Sequence, residues 1–309
     1  MTTDRRGLAY GVGAYFLWGL FPLYWPHLRP AGAPEVLAHR IVWSLVFVVV
    51  LMRFAARRTP AAGSLRAVLA EPRRLALLSL AAALIGGNWL VYIWAVNADH
   101  IVETSLGYYI NPLMTVALAV GVLRERLRRE QWAAIGIAAV AVVELTFSLG
   151  RLPWIALVLA GTFAAYGLIK KTVGVGAVEG LTVETAVLFL PALAYLGWGE
   201  AHGTVAFGHH GPANTLLLAS AGVATAVPLL LFAAAARRVP LTTLGLLQYI
   251  APTLQFATGV AIAHEPLPPT RLAGFVGVWA ALVLFTVDAL RARRRYPRPA
   301  LDAGLSPVA

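Results

Sequence analysis

Few charged side chains in this sequence fall inside apolar runs long enough to cross a bilayer, and those few are the first candidates for chemistry. Holding a charge at such a depth costs at least about 2.5 kcal/mol. Glu35, His39 and Arg40 stand together, with Glu35 and His39 one helical turn apart on the same face. Asp99, His100 and Glu103 form a second group at the same expected depth. An ion pair between Arg40 and Glu103 is therefore predicted, and His39 is placed to titrate near neutral pH. Two functional roles are open for Arg40: it binds an anionic group of a substrate, or with His39 and Glu103 it locks an outer gate. The plain alternative is a set of interfacial charges with Arg40 snorkelling outward. Glu144 has no evident partner and reads as a protonated packing residue or a dimer contact. Glu184 stands near Lys170, Lys171, Arg237 and Arg238 and predicts an interfacial salt bridge.

Uncharged polar residues form a second pattern. The stretch 105–125, SLGYYINPLMTVALAVGVLRE, carries Tyr108 and Thr115 seven residues apart, with Asn111 and Pro112 between them. The stretch 243–265, TLGLLQYIAPTLQFATGVAIAHE, carries Gln248 and Gln255 with Pro252 between them. Sliding the second back by 140 positions puts Ile250 on Ile110, Pro252 on Pro112 and Glu265 on Glu125. Each polar pair lies two turns apart on one helix face. A proline removes one amide donor and crowds the carbonyl four residues earlier, here those of Tyr108 and Gln248. Such carbonyls must be satisfied by protein or a water-filled cavity, so Pro112 and Pro252 are predicted as helix breaks beside a binding site. The competing reading is two kinked, packed helices. Asn88 and Tyr92 share a face beyond Gly86 and Gly87, which permit close helix approach. Trp18 with Pro22, and Trp89 and Trp94, are placed to wall a pocket for a planar or cationic molecule, whereas Trp25, Trp132, Trp154 and Trp198 read as interfacial anchors.

Catalytic chemistry has no comparable pattern. No nucleophile meets a base within a span, there is no Cys, and neither a P-loop nor a dinucleotide fingerprint occurs. His209 and His210 would take a metal only adventitiously. No cofactor, no metal and no enzyme activity are expected.

The elements that must position these residues follow from composition. With 309 residues, 59% hydrophobic, 13% charged and a mean hydropathy of +0.74, the chain predicts an all-α integral membrane protein. Ten spans are expected, at 8–25, 36–54, 75–97, 101–123, 131–149, 152–169, 181–198, 214–236, 241–263 and 272–290. The run after MTTDRRG resembles a leader, but it ends in Trp25, Pro26 and His27 and predicts an uncleaved first span. With a cytoplasmic N-terminus, all basic residues but four lie inside; the exceptions are Arg29, Arg151 and Arg271 outside and Arg40 within a span. Both termini are then cytoplasmic. Five spans per half invert the second half relative to the first, giving repeats at 1–150 and 151–290 and a basic tail at 291–309. The net charge of +11 is spread between apolar runs, which argues against nucleic-acid binding.

The strings WGLFPLY (18–24), EVLAHRIVWS (35–44), NWLVYIWAVN (88–97), ETSLGYYINPL (103–113), RERL (124–127) and LGLLQYIAPTLQF (244–256) closely resemble the RarD proteins, a branch of the EamA-like drug/metabolite transporter superfamily. The resemblance covers nearly the whole chain. It implies ten helices in two inverted EamA-type repeats, a bacterial inner-membrane location and movement of a small organic molecule. The branch is associated by name with chloramphenicol sensitivity, and the resemblance supplies no assigned site. The expected function is a secondary transporter, an exporter or exchanger, working by alternating access with or without proton coupling. The alternatives are a non-transporting subunit that assembles with a partner protein and, more remotely, an intramembrane enzyme. Expected partners are the lipid bilayer, a small-molecule substrate and, in one reading, a second copy of the chain.

Overall fold

The computed structural model describes residues 5–55, 70–123, 127, 129–175, 177–236, 238–239 and 247–295. Glu125, segment 241–246 of the ninth expected span, the stretch 56–69 and the tail from 296 onward lie outside the described residues. Helices account for nearly all of the described chain, and no strand occurs in it. We label the long helices α1 (Arg5–Gly19), α2 (Ala33–Ala55), α3 (Pro72–Asn97), α4 (Ile101–Leu123), α5 (Arg129–Leu149), α6 (Trp154–Thr172), α7 (Ala177–Ala201), α8 (Gly211–Ala236), α9 (Ile250–Ala261) and α10 (Pro269–Arg295). Among the described residues, six helices are long and apolar enough to cross a membrane: α3, α4, α5, α8, most of α7 and most of α10.

The first expected span is not one helix. α1 stops at Gly19, after 15 residues. At 1.5 Å per residue that is about 22 Å, short of the roughly 30 Å of hydrocarbon. The chain goes on as a four-residue helix, Phe21–Tyr24, and a 3₁₀ turn, Trp25–Leu28, each with a proline near its start. Pro22 lacks an amide hydrogen and crowds the carbonyl of Trp18. That carbonyl accepts a hydrogen bond from Gln255 Nε2 at 3.3 Å, so α9 satisfies the group left free at the break in α1.

The break expected at Pro112 is absent, because α4 continues through it as a single helix. Pro252 lies in the first turn of α9, where a missing amide hydrogen is least costly, just after the turn residues Gln248 and Tyr249. The two proline-bearing helices pack on each other, joined by a hydrogen bond between the Tyr109 and Thr253 hydroxyls at 2.8 Å.

The most extensive helix pairings are α4 with α6, α5 with α10, α2 with α8, α1 with α8, α3 with α6, α4 with α9, α2 with α7, α1 with α9 and α3 with α7. Exchanging every helix with the one five places away maps this set onto itself. Close approach at these pairings depends on missing side chains. A Cβ on Gly222 of α8 would collide with the backbone of Trp43 and Ser44 on α2. One on Gly274 of α10 would meet Leu145 and Glu144 of α5. The Ser44 hydroxyl then donates to the Gly222 carbonyl at 3.1 Å.

Candidate functional site

Arg40 is 2% exposed on α2, at a position where α2 meets α8. Its Nε donates to Thr225 Oγ1 on α8 at 2.9 Å, and the Thr225 hydroxyl donates to the Ala221 carbonyl at 2.8 Å. The guanidinium carbon is 4.6 Å from the ring centre of Trp89, 4.8 Å from that of Trp25 and 5.6 Å from that of Phe21. Cation–π attraction to desolvated rings returns part of the cost of burial, up to about 2 kcal/mol. Arg40 Nη1 is buried with no hydrogen-bond partner among the described residues. Tyr24, Tyr92 and Tyr108 lie within electrostatic range of the guanidinium.

Tyr92 and Tyr108, from α3 and α4, meet edge to face at 5.7 Å. The Tyr92 hydroxyl is also buried without a partner among the described residues. Tyr24 takes part differently, its hydroxyl donating to the Leu217 carbonyl at 2.8 Å and pairing with the Ser220 hydroxyl at 2.7 Å. Four helices and the broken end of the first span therefore converge on one cation.

The predicted Arg40–Glu103 ion pair is corrected by the structure. Glu103 pairs with Arg151 at 2.7 Å and accepts from the Ile155 amide at 3.2 Å, capping α6. Matching depth is not enough to bring two helix positions together, since the two side chains leave their helices in different directions. Trp25 is corrected as well: it is fully buried against Arg40, because the break after Gly19 folds the end of the span inward. Trp94, expected in the pocket wall, packs instead on Trp154 and His100 near the end of α3. Trp18 meets Tyr15 and Phe232 and packs against the edge of the cluster that holds Phe21 and Trp25.

The remaining expected residues fall into separate settings. Asn88 Nδ2 donates to the Leu159 carbonyl and to Thr162 Oγ1, both at 2.9 Å, tying α3 to α6. Asn111 is buried in α4 with its side-chain oxygen unpartnered among the described residues, and its carbonyl accepts from Thr115 Oγ1 at 2.9 Å. Thr115 is exposed, so the expected Tyr108–Thr115 stripe is divided. Gln255 is buried at the α1–α9 contact and Gln248 is half-buried in the turn before α9.

His39 stacks on Phe207 at 4.6 Å. Its Nδ1 accepts from Trp43 Nε1 at 3.2 Å, which leaves Nε2 carrying the proton, 3.8 Å from Glu35. Glu35 itself accepts from the Ala206 and Phe207 amides at 2.8 and 3.0 Å. A cavity of about 300 Å³ opens beside His39, Trp43, Leu196 and Phe207. Glu184 pairs with Lys170 at 2.7 Å and accepts from Tyr166 at 3.1 Å, in a buried position.

Sequence reasoning missed two residues. Thr225, which anchors Arg40, is one of three hydroxyl residues on the apolar helix α8 and carried no signal. Glu265, in the connection after α9, accepts from the Ile101 and Val102 amides and caps α4. Burial holds its carboxyl above the ordinary range, opposed by those two hydrogen bonds. Its signal was present, in the register of proline and glutamate shared by the two repeated stretches.

Comparison with known proteins agrees with this architecture. Residues 5–147 match the EamA-like transporter family. The chain is 56% identical to protein RarD of Streptomyces exfoliatus, covering 99% of this chain and 95% of that one. It is 41% identical to protein RarD of Escherichia coli K12, covering 94% and 97%, and 43% identical to an uncharacterized transporter of Pseudomonas aeruginosa, covering 96% and 98%. A protein of known crystal structure at 17% identity shares the fold, with a TM-score of 0.58 over 93% of this chain and 98% of that one.

Proposed function

The chain belongs to the RarD family of EamA-like transporters and is a membrane transporter of the drug/metabolite type, and we propose that it moves a small organic molecule by alternating access. In this reading ten spans form two inverted five-helix repeats, 1–150 and 151–290, followed by the basic tail. The observation that carries it is the helix pairing pattern, which is unchanged when α1–α5 are exchanged with α6–α10. Inverted repeats of this kind can trade conformations, which opens a central site to either face in turn.

In this reading the substrate site is built on Arg40, Tyr92 and Tyr108, and Asn111 on α4 and Gln255 on α9 each carry a buried side-chain oxygen without a partner among the described residues. The chain is a multi-pass bacterial membrane protein. The distribution of basic residues supports insertion in the inner membrane with both termini in the cytoplasm. His39 is the group through which a proton would couple.

The test compares metabolites in the medium of a strain that lacks its own homologue. Cells express either wild type or a Tyr92→Ala, Tyr108→Ala double variant at matched membrane abundance. A compound that accumulates or disappears only with wild type supports transport and gives its net direction. No difference across a broad set of compounds and pH values favours the non-transporting subunit.

A further inference from the structure

Arg40 is a deeply buried cation that no carboxylate neutralises among the described residues. No carboxylate lies within ion-pair distance of it among the described residues. The carboxylates that the sequence offered as partners are committed elsewhere: Glu103 to Arg151 and the α6 cap, Glu35 to the Ala206 and Phe207 amides, and Glu265 to the start of α4. A gate built on Arg40 would need one of these as its latch. With none of them on Arg40 among the described residues, the guanidinium is left as a recognition group.

Its surroundings narrow what it recognises. Thr225 holds Nε, so one edge of the guanidinium is fixed and Nη1 remains for a ligand. Nη1 and the Tyr92 hydroxyl are both buried donors without partners among the described residues. Two donors beside one positive charge suit the two oxygens of a planar carboxylate. A dianion would leave one negative charge uncompensated in the same low-dielectric setting. The walls are the rings of Phe21, Trp25, Trp89, Tyr92 and Tyr108, which offer stacking and apolar contact and few hydrogen bonds.

We propose that Arg40 is the binding site for the carboxylate of the transported molecule, a small monoanion with an aromatic or apolar body. The proposal rests on the transporter reading above and makes its substrate class specific.

Trp25 and Trp89 provide the readout. Purified wild-type protein is titrated with benzoate and phenylacetate and, in parallel, with benzamide and phenylacetamide, following tryptophan fluorescence. The acids are expected to bind at least tenfold more tightly than the amides. Arg40→Gln should abolish that preference, and Arg40→Lys, which keeps the charge and guards against a folding defect, should retain part of it. Equal binding of acid and amide by wild type, binding of neither, or a preference that survives Arg40→Gln overturns the proposal. The same compounds are then followed into liposomes holding the protein. Charge-selective binding without uptake leaves the carboxylate site standing and removes the transport reading. Uptake of neutral compounds that is unchanged in Arg40→Gln does the reverse.

Discussion

The hydrogen bond from Arg40 to Thr225 separates stability from recognition at the level of single side chains. Thr225→Val is nearly isosteric and removes the acceptor, leaving Nε buried and unpaired. The expected loss is about 1–3 kcal/mol, seen as a lower unfolding temperature in detergent. Tyr92→Phe should behave in the opposite way. Its hydroxyl has no partner in the described protein, so removing it leaves thermal stability unchanged or slightly raised while weakening binding of an anionic ligand. A large loss of stability in Tyr92→Phe would show that the hydroxyl has a structural partner. At this scale the sequence made an arginine and two tyrosines inside apolar runs conspicuous, and those three lie together in the fold. It was uninformative about direction. Arg40 and Glu103 share a depth, but the partner of Glu103 is Arg151, brought near by the short connection between α5 and α6.

Helix ends and interruptions were legible as prolines, but their effects were not. Pro22 and Pro112 both follow an apolar helical run, yet α1 stops before Pro22 and α4 passes through Pro112. The difference lies in what the neighbours supply. Gln255 donates to the carbonyl freed at Trp18, and Pro26 follows close behind, where the short helix Phe21–Tyr24 gives way to a 3₁₀ turn. α4, by contrast, is packed on α6, α9 and α10, which support it as a single rod. The cap on that rod has a measurable signature. Glu265 has its carboxyl raised above the ordinary value by burial, with its two amide hydrogen bonds opposing the shift. The folded state therefore holds a proton there that the unfolded chain has already lost, and stability falls as pH rises from the ordinary carboxylate value through the raised one. Glu265→Gln removes the titration and keeps an acceptor for the α4 amides. Unfolding temperatures measured across that window should decline for wild type and stay flatter for the variant, and parallel curves would remove Glu265 from the pH dependence.

Across the whole molecule, the fold is paired and the chemistry is not. α2 and α7 pack on each other, yet among the described residues Arg40 on α2 has no carboxylate partner whereas Glu184 on α7 is bound by Lys170 and Tyr166. The matched proline and glutamate spacing pointed to a duplication, and the exchange symmetry of the helix pairings is in keeping with it; the asymmetry appears only once partners are assigned in space. It has a kinetic consequence if Arg40 holds the cargo's carboxylate. An empty carrier must move through its occluded state with an uncompensated guanidinium in a low-dielectric interior, whereas the loaded carrier passes through it as a neutral pair. A charge at the centre of a membrane costs about 2.5–3.5 kcal/mol on the insertion scale, and a difference of about 1.4 kcal/mol between barriers is already tenfold in rate. On that condition return of the empty carrier would be the slow step, and exchange would outrun net flux. Liposomes preloaded with unlabelled acid should take up labelled acid at least about tenfold faster than unloaded liposomes. Arg40→Gln, which carries no charge to hide, should narrow that ratio toward one whatever its absolute rate. Equal uptake into loaded and unloaded wild-type liposomes would mean that the empty carrier crosses as readily as the loaded one, and that the charge on Arg40 is neutralised by something other than the cargo.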